Sequence, residues 1–261
     1  MSERHEVYPM TQIAATVSEC LGVPRPAAAD ARPIQPIVAD LFASDRLAIL
    51  APDALGVSAW GLWRHEMPIL SRLHDHRGIR LRAVMPTITP VNFATMVTGA
   101  AQQVHGIGAY TDDFQCPTLF DVLRAEGKTS AGVGQKGYTG SELLGRSADH
   151  HGCADSRTDD EVADITIELA RSERPDFVIC QLGSTDDAFH RHGPSSRQVV
   201  PVLAETDARL GRMLDVLSKC DYAVIVLADH GQHDTPTGGT HGTESDDDSI
   251  VPCTWVTADR S

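Results

Sequence analysis

Seven side chains of metal-binding type stand at or just beyond the ends of apolar runs. Asp229 and His230 close the run Tyr222-Ala-Val-Ile-Val-Leu-Ala228, and His241 follows eleven positions after His230. Asp186 and His190 stand four apart, just before Gly193-Pro194. Asp53 follows Leu47-Ala-Ile-Leu-Ala-Pro52, and Thr89 lies within Pro86-Thr-Ile-Thr-Pro-Val-Asn92. Carboxylate oxygen and imidazole nitrogen are the ligands that zinc and manganese accept. Three Asp, three His and one hydroxyl suffice for two divalent ions and a nucleophile. Thr89-Pro90 reads as a helix start, with Thr at the N-cap and Pro at the first helical position. An anion is welcome at such a terminus, and a nearby metal would turn the hydroxyl into an alkoxide nucleophile. Asn92, three residues on, is spaced to donate its amide to a phosphoryl oxygen. Each feature alone has a plainer reading: a capping Asp at a strand end, a Thr cap, a polar first-turn Asn. Thr87 is a second candidate nucleophile, and the spacing to Asn92 favours Thr89.

These residues need elements to bring them together. From Arg46 onward, short apolar runs at 46–51, 79–85, 129–133, 176–181, 222–228 and 250–256 alternate with helical patterns. Most runs lack polar alternation, as expected of strands buried on both faces. Helices are expected at 118–126, at 160–171 and at 197–218, the last with Leu203, Leu210, Met213, Leu214 and Leu217 at helical spacing. Alternation of this kind predicts an α/β/α sandwich around a mostly parallel sheet. Asp53, Thr89, Asp186 and Asp229-His230 each follow a predicted strand, so they converge on the carboxyl edge, where open α/β sheets carry their sites. Residues 1–45 are expected to form an extension packed on the core, with a short helix over 11–21, and 46–261 the main domain.

A chain of 261 residues with 41% hydrophobic and 22% charged residues can bury a substantial core. Its formal charge of −14 argues against binding a nucleic-acid polymer. No stretch is long and apolar enough for a bilayer, and Met1-Ser-Glu-Arg-His-Glu6 has no signal-peptide pattern. Six scattered cysteines without a Cys-x-x-Cys pair fit a reduced protein, and a cytoplasmic location is expected. Asp246 to Asp248 read as a solvated acidic loop, and His150, His151 and His192 as surface residues.

Taken together, Ala51-Pro-Asp-Ala-Leu-Gly56, Pro86-Thr-Ile-Thr-Pro-Val-Asn-Phe93 with Val97-Thr-Gly99 and His105-Gly-Ile107, Asp186-Asp-Ala-Phe-His190, Ala228-Asp-His-Gly231 and His241-Gly242 resemble the alkaline phosphatase superfamily, in its type I phosphodiesterase/nucleotide pyrophosphatase branch. The resemblance implies an alkaline-phosphatase-like fold and two divalent metals, usually zinc, with manganese as the alternative. It implies that Asp186, His190 and His241 hold one ion, and that Asp53, Thr89, Asp229 and His230 hold the other. Thr89 would be the nucleophile of a phosphothreonine mechanism, Asn92 the phosphoryl-binding asparagine, and a small phosphate ester the substrate.

The chain also departs from that pattern. Pro90 follows Thr89 directly, where nucleotide pyrophosphatases carry Pro two positions on. Only ten residues separate His230 from His241, a compact loop closer to phosphopentomutases and phosphoethanolamine transferases. Lys136 resembles the carboxylate-binding lysine of phosphonoacetate hydrolases, and Tyr138 and His105 are weaker site candidates. His105 is expected to support its own loop. The expected activity is phosphodiester hydrolysis. The alternatives are a monoesterase, a phosphomutase, a C–P bond hydrolase and a non-enzymatic binding protein. A sulfatase is disfavoured by the lack of a Cys-x-Pro-x-Arg or Ser-x-Pro-x-Arg segment.

Overall fold

The computed structural model of the protein describes residues 6–258. The Met1–His5 stretch, on which the signal-peptide reading rests, lies outside the described residues. The strands in chain order are β1 (Val7–Pro9), β2 (Arg46–Pro52), β3 (Gly78–Arg82), β4 (Ser130–Gln135), β5 (His150–Ala154), β6 (Phe177–Leu182), β7 (Tyr222–Leu227), β8 (His233–Thr235), β9 (Gly238–Thr240) and β10 (Ile250–Val256). The helices are α1 (Gln12–Leu21), α2 (Gln35–Leu41), α3 (Val57–Trp63), α4 (Pro68–His76), α5 (Thr89–Thr98), α6 (Gln102–His105), α7 (Leu119–Ala125), α8 (Asp159–Ser172), α9 (Ser184–His192), α10 (Val200–Lys219) and α11 (Asp246–Ser249).

Eight strands form one sheet in the order β1-β3-β10-β7-β2-β6-β4-β5. All neighbours are parallel except β10, which runs antiparallel to both β3 and β7. The central strands β2, β4, β6 and β7 are buried along almost their whole length, which is why their sequences are mostly apolar without alternation. Helices α4 and α8 pack against α10, and α1 and α7 pack against α5. The expected α/β sandwich with a mostly parallel sheet is therefore the observed architecture. All six predicted strands are present, and all three longer helices.

The reversal of β10 has a consequence for the site. Its first residue, Ile250, lies at the edge where the parallel strands end. The segment 228–249 between β7 and β10 therefore stays at that edge, and it carries the β8–β9 hairpin and His241. Residues 7–45 add β1 beside β3 and place α1 on α5, and Met10, Ile13, Val17, Ile34 and Ile37 enter the same core cluster as the sheet. No described helix is long and apolar enough to cross a membrane.

One close approach at the carboxyl edge depends on glycine. A Cβ on Gly231 would collide with the Asp247 carbonyl oxygen and lie 2.8 Å from the Gly56 Cα. The two glycines let the chain after Asp53 and the chain after His230 pass in contact. Gly231→Ala is expected to cost about 1–3 kcal/mol through overpacking, read as a lower melting temperature. An unchanged melting temperature would contradict this packing argument.

Candidate active site

Asp53 and Asp229 leave the ends of adjacent parallel strands, β2 and β7. Asp186 and His190 lie four apart on α9, on one face of the helix. The start of α9 is held by Asp159. Its carboxylate accepts from the Gly183 and Ser184 N–H groups (2.8 and 3.0 Å) and from Gln135 (2.7 Å). His241 follows β9, which packs on α9.

The donor atoms of Asp53, Asp229 and His230 all lie within 4.8 Å of one another, as do those of Asp186, His230 and His241. His230 thus belongs to both groups. His190 joins from the rim, with Nε2 3.4 Å from Asp186 Oδ2. The two groups differ in depth. Asp53, Asp229 and His230 are 0–1% exposed. The side chains of Asp186, His241 and His190 are 14%, 15% and 42% exposed.

The orientation of the three histidines follows from their partners. Nδ1 of His190, His230 and His241 faces the carbonyl oxygens of Gly239, Gly231 and Thr87 at 3.1, 3.0 and 2.8 Å. A carbonyl can only accept, so each Nδ1 carries a hydrogen, and it is Nε2 that a neutral ring would offer as the ligand atom. A backbone carbonyl behind the imidazole is the usual support of a metal-binding histidine. The His230 and His241 rings stack at 4.1 Å.

The carboxylates are equally suited to a cation. Asp53 Oδ1 and Asp229 Oδ2 are buried and accept no hydrogen bond. Asp53 and Asp229 are each within ion-pair distance of His230, and Asp186 of His190 and His241; among the described residues no Lys or Arg is. Burial, and then the nearby Asp229 and Asp186, push the Asp53 carboxyl well above the usual carboxylate range. Burial likewise raises Asp186. Burial, with His230 adjacent, lowers His241 to about 4, which keeps it a neutral ligand. Buried like charges with orphaned oxygens are costly unless a cation joins them. The donor set fits divalent metal, and the residues that would hold it are Asp53, Asp186, His190, Asp229, His230 and His241.

Thr89 meets this cluster, with its Oγ1 3.1 Å from His230 Nε2. It is the first residue of α5 rather than its N-cap, which is Ile88. Thr87 is fully buried. Its hydroxyl donates to the Thr243 carbonyl and accepts from the Gly242 N–H, both at 3.0 Å. Thr87 therefore braces the His241 loop, and Thr89 is the hydroxyl in the cluster.

Two expectations are corrected. Asn92 is completely buried, and its amide is consumed by the loop before α5. Oδ1 accepts from the Val84 N–H at 2.7 Å, while Nδ2 donates to the Val84 and Ile88 carbonyls at 3.1 and 3.3 Å. Asn92 thus pins the segment 84–88 that aims Thr89, and it has no hydrogen left for a phosphoryl oxygen. Lys136 follows β4, but its ammonium pairs with Asp155 beyond β5 at 2.8 Å, with both side chains exposed. Nothing draws it toward the Asp/His cluster. Lys136→Ala is expected to leave phosphodiester turnover within about twofold, since exposed pairs of this kind contribute little. A tenfold loss would restore a substrate role.

The lesser candidates are also placed. Tyr138 donates to Asp187, the neighbour of Asp186, at 2.8 Å. His105 is buried and accepts from the Ile107 N–H at 3.1 Å, so it supports its own loop as expected. His150 and His151 lie on β5, half-buried and exposed respectively, and His192 is half-buried at the end of α9. Asp246 and Asp247 are exposed, as an acidic loop should be, but Asp248 is fully buried. It accepts from His233, the Thr243 N–H and the Thr243 hydroxyl, and its carbonyl accepts from the Gly231 N–H. Three supporting residues were not singled out from the sequence: Gln181 beside Asp53, Gln232 beside Asp186, and Thr185, whose hydroxyl donates to the Asp53 carbonyl at 2.5 Å. Gln181 left a signal, as an amide inside an otherwise apolar strand.

An α/β sheet with clustered Asp, His and Thr at its carboxyl edge defines the alkaline-phosphatase-like class. The family model for type I phosphodiesterase / nucleotide pyrophosphatase matches residues 47–115 and 116–250, and the chain belongs to that family. A venom phosphodiesterase from Naja atra is 24% identical over 226 residues, covering 73% of this chain and 26% of that protein. The chain spans about a quarter of the length of such relatives. Among solved structures, phosphonoacetate hydrolase from Sinorhizobium meliloti 1021 in complex with phosphonoacetate superposes with a TM-score of 0.58 at 19% identity, covering 73% of this chain and 57% of that one. An inactive form of murine ectonucleotide pyrophosphatase/phosphodiesterase 5 in complex with AMP gives 0.57 at 17% identity, covering 72% and 57%. At these identities the structural likeness concerns the fold.

Proposed function

We propose that this chain hydrolyses small phosphodiesters, with Thr89 as nucleophile and two divalent ions, zinc foremost and manganese as the alternative. Asp186, His190 and His241 would hold one ion, and Asp53, Asp229, His230 and Thr89 the other. The observation that carries this reading is the Thr89 hydroxyl 3.1 Å from Nε2 of His230, the ring shared by both donor groups. Bound there, the ions would lower the hydroxyl pKa and offset charge developing on the phosphoryl oxygens.

The chain supplies the rest. Thr89 stands in the first turn of a ten-residue helix, whose N-terminus favours an anion. Asn92 fixes the loop before it, so the hydroxyl is presented without reorganisation. The Thr89 oxygen loses its proton to solvent and forms a bond to phosphorus as the bond to the leaving alkoxide breaks; the alkoxide takes a proton from solvent, and the phosphothreonine formed still carries the other ester group. Water then attacks the same phosphorus, the Thr89 oxygen leaves, and a phosphomonoester is released. A reducing, cytoplasmic setting is part of this proposal, supported by six unpaired thiols.

The test compares cleavage of bis-p-nitrophenyl phosphate, p-nitrophenyl phosphate and phosphonoacetate by the purified chain supplied with zinc or manganese. Faster diester cleavage is the expected result. Faster monoester cleavage would move the reading to a phosphatase or mutase. Phosphonoacetate as the preferred substrate would move it to C–P bond hydrolysis, the activity that names one of the fold's neighbours.

A further inference from the structure

Two of the three clustered carboxylates are held by a buried primary amide. Gln181 and Gln232 are each 1% exposed. Gln181 Nε2 donates to Asp53 Oδ2 in a short hydrogen bond, and Gln232 Nε2 donates to Asp186 Oδ1 and more weakly to the Asp186 carbonyl at 3.4 Å. The amide orientation is forced in both cases. The Gly140 N–H, which can only donate, meets Gln181 Oε1 at 2.6 Å, so the amino end must face Asp53. Gln232 faces two groups that only accept.

Gln232 is not explained by stability. Its Oε1 is buried without a partner, a burden of about 1–3 kcal/mol. Its amide end and its position beside Asp186 are what the fold retains. A neutral donor also has a property that Lys or Arg lacks: it occupies one carboxylate oxygen without cancelling the charge.

We propose that Gln181 and Gln232 are positioning residues that make Asp53 and Asp186 single-oxygen ligands, one in each donor group. This inference rests on the two-metal reading above. At Asp53 the amide takes Oδ2 and leaves Oδ1 unpartnered, 3.7 Å from His230 Nε2. At Asp186 the amide sits on Oδ1, which is 3.9 Å from His241 Nε2, and leaves Oδ2 3.4 Å from His190 Nε2. A carboxylate fixed this way resists clamping an ion with both oxygens. Low coordination numbers favour zinc, whereas larger oxygen-seeking ions gain from bidentate carboxylates.

The experiment uses the full chain and the variants Gln181→Leu and Gln232→Leu. Zinc affinity is measured by competition with a chelating dye, and the cobalt(II)-loaded forms are examined by visible absorption. Each variant is expected to weaken one of the two zinc ions by about 10- to 100-fold, and to lose cobalt absorption intensity as coordination rises. The metal-free melting temperature of Gln232→Leu should stay near that of the parent, because the Gln232 Oε1 it removes has no partner; a merely structural role would not allow this. Gln181→Leu also strands the Gly140 N–H and should melt lower, so its readout is the zinc affinity and cobalt spectrum. Where a leucine variant does not fold, Gln→Met at the same position keeps the volume and removes the donor. Two variants with parental zinc affinities and cobalt spectra would overturn the inference and leave the proposed function standing. A parent chain that binds no ion would overturn both.

Discussion

Thr89→Ala is expected to lower phosphodiester turnover by on the order of 10³-fold or more, the scale of losing a nucleophile. Fold and ion content should remain close to those of the parent. The hydroxyl meets His230 at 3.1 Å. Removing it therefore deletes the reacting oxygen and little else. Thr89→Ser keeps a hydroxyl on the same carbon and should retain part of the turnover. Thr87→Ala acts differently. It removes a donor to Thr243 and an acceptor from Gly242, so it should loosen the loop of His241 and lower ion affinity. Near-parental turnover in Thr89→Ala would contradict the nucleophile assignment.

Asp229→Asn is expected to weaken ion binding by at least about 100-fold, above the range seen for residues that only support a ligand. Its geometry makes this a clean substitution. Asp229 Oδ1 accepts from the Ala54 N–H at 3.1 Å, and Oδ2 is buried, unpartnered and 3.3 Å from His230 Nε2. The asparagine oxygen would keep the bond to Ala54. Its amino group would then point where the orphaned oxygen now stands, putting two hydrogens in place of a ligand. The shape is conserved and one buried negative charge is removed, so the metal-free protein should be no less stable. Ion affinity measured by chelator competition decides the matter, and an unchanged affinity would remove Asp229 from the donor set.

Much of this site was legible in the chain because its residues lie at strand ends. Apolar runs without alternation marked β2, β4, β6, β7 and β10, and the polar residues after them had to meet at one edge. The period of Leu203, Leu210, Met213 and Leu217 marked α10. What was illegible depended on partners distant in sequence. Asn92 has the type and spacing of a phosphoryl donor. That its amide would be satisfied by Val84 and Ile88 depends on the path of the loop, which no local pattern encodes. Spacing to Asn92 favoured Thr89 over Thr87, but that Thr87 is spent on Gly242 and Thr243 is a fact of the fold which that spacing does not encode. Strands β1 and β5 carry no apolar run, since they are edge strands, and the antiparallel sense of β10 left no local mark. Asp248 looked like the end of an acidic run, yet it turns inward to hold His233 and Thr243. Gln181 could have been found, because an amide inside a buried strand requires a partner.

We propose above that the Asp/His cluster is a two-ion centre that cleaves phosphodiesters. Ion stoichiometry by elemental analysis, measured alongside bis-p-nitrophenyl phosphate cleavage as zinc or manganese is titrated into the metal-free chain, tests it most directly. About two ions per chain are expected, with cleavage rising as the second ion binds. A chain that takes up no ion, and cleaves nothing with either metal present, would contradict it.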